Sequence, residues 1–543
     1  MNREIRGLHE AAYLLALFTF LSQILALLRD RTFAHFFGAG PTLDAYFAAF
    51  RVPDLLFAFL TLFVSAFAII PLLASRGGPE TKESRSLIGS ILISFGVFSA
   101  VFAALLFLAM PQIVPLFFPG FDAATHGSVV MLSRIMLIQP ILLGFSSVIG
   151  ALVQAARKFF IFALAPIFYN LGIIAGVLFL YPYLGIAGLG WGVAFGAFLH
   201  FCIQMLPLFF HQGVFRPVFG GAVIADTLAV VRRSLPRAFA LSANQILMLA
   251  LVSVASLAAA GSVASVSFAF NLQSVPLSVI GVSYAAALFP SLALRFAKQE
   301  HELFITEVWA AIRHIVFWTA PAIALMIVLR AHIVRVILGS GAFSWDDTRL
   351  TAAVLAAFAI SLIAQAAMLV FSRAYYAAEK EVVPIVLNVG VAVVAGLVSF
   401  SAFTWFRGAE TARYFVEHLF RIDGIPGSGV VVVALSYSVI MLLGSCLFGY
   451  LFARQFGFER RVLPTVFHAT SSAVIAAAAA YAALQVFGPL LPTETFVGIF
   501  IQGIAAGLSG FAAWALTLTV LHNQEFREVV TVFWRLVRTN HEA

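Results

Sequence analysis

Six charged residues, Arg29, Asp30, Arg31, Asp44, Arg51 and Asp54, lie within the stretch ALLRDRTFAHFFGAGPTLDAYFAAFRVPDLLF (26–57), which otherwise reads as two apolar helices. Each charge held at bilayer depth costs ~3 kcal/mol on insertion scales, so such residues face a wet or paired interior. Three arginines and three aspartates sum to zero, as mutual pairing requires. Two chemistries fit. One is recognition of an anion, because a planar guanidinium meets phosphate in two parallel hydrogen bonds. The other is an internal ion-pair network that only fixes helix register. Asp44, Arg51 and Asp54 are seven and three residues apart and share one helix face; Gln23, Asp30 and Arg31 share a face of the preceding helix.

Catalysis has no comparable set of residues. The sequence contains no H-E-x-x-H, no G-x-x-x-x-G-K-[ST], no G-x-S-x-G and no metal-spaced Cys/His cluster. Cys202 and Cys446 sit in separate apolar segments and read as small buried hydrophobes. The expectation is a non-enzyme with no metal and no cofactor. Without a nucleotide site, transport would run on an ion gradient, the membrane potential or the substrate's own gradient.

The elements that must position the charges follow from composition. The 543 residues are 62% hydrophobic and 10% charged, with mean hydropathy +1.02, which excludes an ordinary soluble protein. Apolar runs of spanning length recur from end to end, the pattern of an all-α polytopic membrane protein. Stop signals such as Gly38-Ala39-Gly40-Pro41 divide the chain into about fourteen spans, the first at 10–37 and the last at 492–521. The net charge of +8 arises in short loops, where it sets topology and meets lipid headgroups, so no nucleic acid partner is expected. Twenty-one lysines and arginines fall on the side of the N-terminus against six on the other, which predicts both termini in the cytoplasm.

The chain also repeats itself. PLLASR (71–76) returns as PSLALR (290–295), PIFYNLG (166–172) as PIVLNVG (384–390), and SQILALL (22–28) more weakly as NQILMLA (244–250). The offsets nearly coincide and six spans separate the copies, so the two halves insert with the same orientation. The expected organisation is an N-terminal six-helix lobe at 1–211 and a cytoplasmic linker at 212–234. A C-terminal six-helix lobe at 235–453 would be related to the first by a pseudo-two-fold axis along the membrane normal. Two further spans and a cytoplasmic tail occupy 454–543.

Other polar residues carry weaker signals. Arg134 reads as a snorkelling or cavity residue. Asn271, Gln273, Asn170 and Asn388 read first as makers of interhelical hydrogen bonds. Glu307, Arg313 and His314 read as an interfacial helix turn, and 405–427 as a connection containing a solvated amphipathic helix.

The stretch LLRDRTFAHFFGAGPTLDAYFAAFRVPDLL resembles the opening signature of MurJ/MviN-type lipid II flippases, of the multidrug/oligosaccharidyl-lipid/polysaccharide exporter superfamily. Similarity continues through FPGFDAAT (118–125), GALVQAARKFFIFALAPIFYNLGI (150–173), LFPSLALRFA (288–297), GSGAFSWDDT (339–348) and FSRAYYAAEKEVVPI (371–385). The resemblance implies a V-shaped bundle whose lobes alternate access to a central cavity. It implies an undecaprenyl-pyrophosphate-linked substrate, lipid II, met by cavity arginines. Spans thirteen and fourteen, with VIAAAAAYAA (474–483) and Gly503-x-x-x-Gly507, would form a groove for the lipid tail. Implied surroundings are the lipid of a bacterial inner membrane and cell-wall synthesis proteins, with the chain a monomer. Arg29, Asp30 and Asp44 match charged positions of the family and Arg51 a usually basic one. The sequence departs at Gln23, Phe57 and Asn271, where the family typically has arginine, and at TLFVS (61–65), where it has AEGAF. The expected substrate-contacting set is therefore Arg29, Asp30, Arg31, Asp44, Arg51, Gln23 and Asn271. A different polyprenyl-linked oligosaccharide, or a member that has lost transport, remains open.

Overall fold

The computed structural model describes residues 8–64, 66–78, 81–155, 158–210, 223–492 and 495–539, with no strand among them. The loop cations Arg3, Arg6, Arg157 and Arg216, and the first part of the expected linker, 212–222, lie outside these residues. The chain forms two compact units, Met1–Ala264 with Gly341–Phe343, and Ser265–Ser340 with Ser344–Ala543.

In the first unit α1 (Leu8–Phe37) runs unbroken through Arg29, Asp30 and Arg31, so the triplet sits inside a helix and not at its end. The helix stops where Gly38 adopts φ 61°, and Pro41 opens α2 (Pro41–Ala49), as the Gly-Ala-Gly-Pro signal requires. The second expected span is segmented into α2, α3 (Arg51–Val64) and α4 (Ala66–Ser75). Pro53 has no N–H to offer the Ala49 carbonyl, which instead accepts from Ser133 Oγ at 3.1 Å. Pro111, inside α5 (Lys82–Phe117), likewise leaves the Phe107 carbonyl free, and Arg134 Nε donates to it at 2.9 Å. The Arg134 guanidinium also lies 4.5 Å over the Phe107 ring. Its role is thus narrower than snorkelling: it repairs a proline break. Ser133 and Arg134 belong to α6 (Ala123–Met136), whose first turn Asp122 caps by accepting from the Thr125 N–H.

The remaining first-unit helices are α7 (Ile138–Ala155), α8 (Phe159–Ala175), α9 (Tyr181–Leu184), α10 (Ala187–Phe210) and α11 (Val223–Ser256). Glycines let α8 and α10 touch backbone to backbone: a Cβ at Gly172 would fall 2.3 Å from the Gly196 Cα. Helix α11 starts inside the stretch expected as linker and packs on α3 and α5, within the first unit. Side-chain bonds hold it there. Arg76 Nη2 meets Asp226 at 2.7 Å, Ser90 Oγ donates to Asp226 at 3.2 Å, and Ser94 and Thr227 hydroxyls lie 2.6 Å apart.

The second unit takes up most of α12 (Ser262–Pro276), which passes through a π-helical stretch at Leu277–Val282 into α13 (Ser283–Ala297). There follow α14 (His301–Val328), α15 (Arg330–Leu338), α16 (Trp345–Ala359), α17 (Leu362–Ala377), α18 (Val382–Gly408), α19 (Glu410–Phe420) and α20 (Gly429–Gln455). The last three are α21 (Val462–Phe487), α22 (Phe496–Val520) and α23 (Gln524–Thr539). Phe317, Ala476, Trp514 and Leu518 form a buried cluster joining α14, α21 and α22. The close approach of α21 and α22 is made at Gly510, where a Cβ would lie 2.9 Å from the Ala476 carbonyl. Gly503 and Gly507 instead face His332 and Leu329.

Arg313 departs from the interfacial turn expected for it. It is buried, with Nη1 2.7 Å from Glu459 and Nε 3.1 Å from Glu525. Thr465 Oγ1 and Asn523 Nδ2 donate to the same Glu525 carboxylate at 2.8 and 3.0 Å. Arg313 therefore binds α14 to the α20–α21 connection and to the first turn of α23. Its partners lie far away in the chain, so no local periodicity could announce them.

Among the described residues eleven helical segments are long and apolar enough to cross a membrane, or twelve if α16 and α17, bent by 41°, make one span. The two other expected spans, 10–37 and 235–259, correspond to α1 and α11, helices that carry charge within or ahead of their apolar portions.

Candidate functional site

The charges of the first unit are organised around Arg29. Its Nε and Nη2 donate to Asp30 Oδ1 at 3.0 and 2.8 Å, and Nη1 donates to Asn170 Oδ1 at 3.2 Å. Asn170 is oriented from α8, its Nδ2 donating to the Pro166 carbonyl at 3.1 Å. Tyr46 and Tyr169 complete the surroundings of the guanidinium. Asp30 is 3% exposed, and the Arg29 side chain retains 20% exposure. A guanidinium carries five N–H donors, and three of Arg29's are engaged by described residues. The arrangement holds a planar cation rigidly, satisfies one face of it, and leaves donors to spare.

Asp44 does a different job. Its Oδ2 accepts from the Gly261 N–H at 2.6 Å and its Oδ1 from the Ala264 N–H at 2.7 Å. The side chain is buried and caps the start of α12 from a point more than two hundred residues earlier in the chain. A carboxylate whose two oxygens both serve backbone donors is a cap, favoured by the positive end of the helix dipole. Asp44→Ala is expected to cost about 2 kcal/mol as a lost cap with stranded N–H groups. Asp44→Asn, which keeps one acceptor, should lose less. The thermal midpoint of the detergent-solubilised protein checks both, and equal stability of all three forms would refute the capping role.

Arg51 is half-buried and donates through Nε to the Phe47 carbonyl at 3.1 Å. Its terminal nitrogens make no hydrogen bond to the described residues. Asp54, the opposing charge beside it, also has Gln139, Tyr46 and Tyr169 among its polar neighbours. Arg31, Gln23 and Phe57 are half-buried on the same helices. The structure therefore brings Arg29 and Asp30 together directly, gives Asp44 to a helix cap, and places Arg51 beside Asp54. Asn271 lies on α12 in the second unit, half-buried. Two residues later, Gln273 is fully buried, and neither end of its amide is bonded within the described residues. Asn170 is the contact that sequence reasoning undervalued. Its recurrence in the repeat was the available signal. Its counterpart Asn388 makes another contact, donating to Ser372 Oγ at 3.3 Å.

The sequence profile of the family described as "Lipid II flippase MurJ" matches residues 33–505. The chain belongs to this family. A probable lipid II flippase MurJ of Vibrio cholerae serotype O1 is 26% identical over 420 residues, 74% of this chain and 79% of that protein. The lipid II flippase MurJ of Burkholderia cenocepacia is 25% identical over 406 residues, covering 70% and 75% of the two chains. Among solved structures, a lipid II flippase MurJ in an inward closed conformation superposes with TM-score 0.73 at 20% identity, covering 94% of this chain and all of that one. An inward-facing transporter of the multidrug resistance MATE family superposes with TM-score 0.64 at 15% identity, covering 80% of this chain and 95% of that one. Both likenesses show a shared helical fold, over nearly the whole chain for the first structure and four fifths of it for the second. MurJ-family membership fixes the class: a multi-pass membrane transporter.

Proposed function

We propose that the chain translocates lipid II, the undecaprenyl-pyrophosphate-linked peptidoglycan precursor, by exposing one headgroup site alternately to the two sides of the membrane. The family match over residues 33–505 carries this reading, and the arginines supply its chemistry. Arg29, pre-oriented by Asp30 and Asn170, and Arg51, with its terminal nitrogens unengaged among the described residues, present forks suited to a pyrophosphate. Arg31 and Gln23, on the face of α1 that carries Asp30, are further proposed contacts, and Asn271 is the proposed polar contact from α12. Asp30 and Asp44 act through position: one aims Arg29, the other caps α12.

The same proposal covers organisation. Six-helix lobes at 1–211 and 235–453, related by the internal repeat, are followed by the pair of helices at 454–543. Support comes from the repeated motifs, since Pro71 and Pro290 both lie inside helices and Asn170 and Asn388 both follow a helical proline motif. The bias of loop charges supports both termini in the cytoplasm, and the family match supports a bacterial inner membrane; the proposal takes the chain as a monomer beside cell-wall synthesis proteins. Export of another polyprenyl-linked oligosaccharide is the second reading, favoured by Gln23, Phe57 and Asn271 at positions where the family typically has arginine.

Expression in a bacterium depleted of its own lipid II flippase tests the proposal. Restored growth, with lipid II headgroups reaching the outer surface, is the expected result. A stably inserted chain that restores neither would turn the assignment toward the second reading.

A further inference from the structure

Helix α19 connects two spans, starting two residues after α18 ends at Gly408. Its apolar residues Ala412, Phe415, Val416, Leu419 and Phe420 recur at the spacing of a single helix face. In a water-soluble protein that face would be covered. Here Phe415 is 65% and Leu419 60% exposed, and no residue of the helix is buried.

The polar side and the C-terminal end are the parts fastened to the protein. Glu417 accepts from Ser428 Oγ at 2.6 Å, at the start of α20, and pairs with Arg413 at 3.4 Å. Arg421 closes the helix in the left-handed conformation, φ 59°, and its carbonyl accepts two bonds from Arg349 at 2.9 and 2.6 Å. Polar groups thus dock the helix, Ala412, Val416 and Phe420 are half-buried, and Phe415 and Leu419 are left exposed.

What covers that face is indicated by what it joins. The outward surface of α18 is apolar along its length, through Val393, Val394, Leu397 and Phe400, and ends in the exposed ring of Trp405. That surface, on a helix of spanning length, meets lipid. The apolar face of α19 begins where it stops. Tyr414 and Trp405 are amphipathic rings of the kind enriched at the headgroup level.

We propose that α19 lies in the bilayer surface, with Phe415 and Leu419 inserted among the lipids of the leaflet where α18 ends and α20 begins. The helix carries two basic and two acidic groups when His418 is counted with Arg413 against Glu410 and Glu417. Insertion is therefore driven by apolar burial and needs no anionic lipid.

The test uses the full chain with Cys202 and Cys446 replaced by alanine, reconstituted into phosphatidylcholine vesicles. Single cysteines at 415, 419, 410 and 418 carry an environment-sensitive fluorophore. Labels at 415 and 419 should be blue-shifted, quenched severalfold more by spin-labelled lipid than by aqueous iodide, and unchanged when anionic lipid is added. Labels at 410 and 418 should show the opposite preference. Iodide access at 415 equal to that at 410 would overturn the proposal. So would protection at 415 that is insensitive to lipid quencher and disappears on diluting the protein in lipid, which identifies a second copy as the occupant. Phe415→Asp, a change at an exposed position that leaves the fold intact, should move the 419 label toward iodide; an unmoved label also counts against insertion.

Discussion

Arg313→Ala should lower the stability of the second unit by about 3–5 kcal/mol, the cost of breaking a buried ion pair by removing one partner. Arg313 stands between Glu459 and Glu525 with little solvent access, and Glu525 is itself fixed by Thr465 and Asn523. Removing the guanidinium leaves two carboxylates facing each other in a site built to hold one cation. Arg313→Lys retains charge but supplies a point donor to a geometry that uses separate nitrogens for the two acids, so it should recover only part of the loss. Glu525→Gln, which leaves Arg313 paired with Glu459, should be milder than Arg313→Ala. The thermal midpoint in detergent, together with hydrogen exchange across α23, reads both the global loss and the release of the last helix. A wild-type midpoint for Arg313→Ala would contradict the burial of this node.

Arg29 is expected to dominate transport. A hydrogen bond to a charged group is worth ~1.5–3 kcal/mol, so Arg29→Ala should weaken capture of a pyrophosphate headgroup roughly tenfold or more. Arg29→Lys keeps the cation and loses the fork, giving partial activity. Arg134→Lys changes a donor to a proline-freed carbonyl on α5 and should stay close to wild type. The expected order in complementation is therefore wild type, Arg134→Lys, Arg29→Lys, Arg29→Ala. Because Arg29 also neutralises the buried Asp30, the alanine variant could fail for want of structure. The double variant Arg29→Ala/Asp30→Asn removes the pair without leaving a charge behind. If that variant inserts stably and transports at the wild-type rate, Arg29 has no part in binding the headgroup.

Much of this protein is written locally. Apolar runs of spanning length, glycine and proline at the breaks and the charge bias of short loops depend only on near neighbours in sequence. They determined an all-helical membrane chain, and they located the end of α1 at Gly38 and the start of α2 at Pro41. The charge cost of Arg29, Asp30 and Arg31 singled out a candidate site because burial in an apolar helix is expensive wherever the helix goes. The partners of those charges could not be read in the same way. Asp44 looked like a cavity residue beside Arg51, and tertiary structure gave it to the amides of Gly261 and Ala264. Arg134 looked like a snorkelling cation until the Phe107 carbonyl, freed by Pro111, came within its reach. Arg313 looked interfacial and proved to be the centre of a buried node with Glu459 and Glu525. Residues 226 and 227 looked like linker, and tertiary structure gave Asp226 to Arg76 and Thr227 to Ser94. In each case the sequence sets how much a polar group needs a partner, through charge and the environment of its own helix. Which partner it finds is decided by packing between distant segments, and hydrogen bonds of about 3 Å leave no periodic trace in the chain.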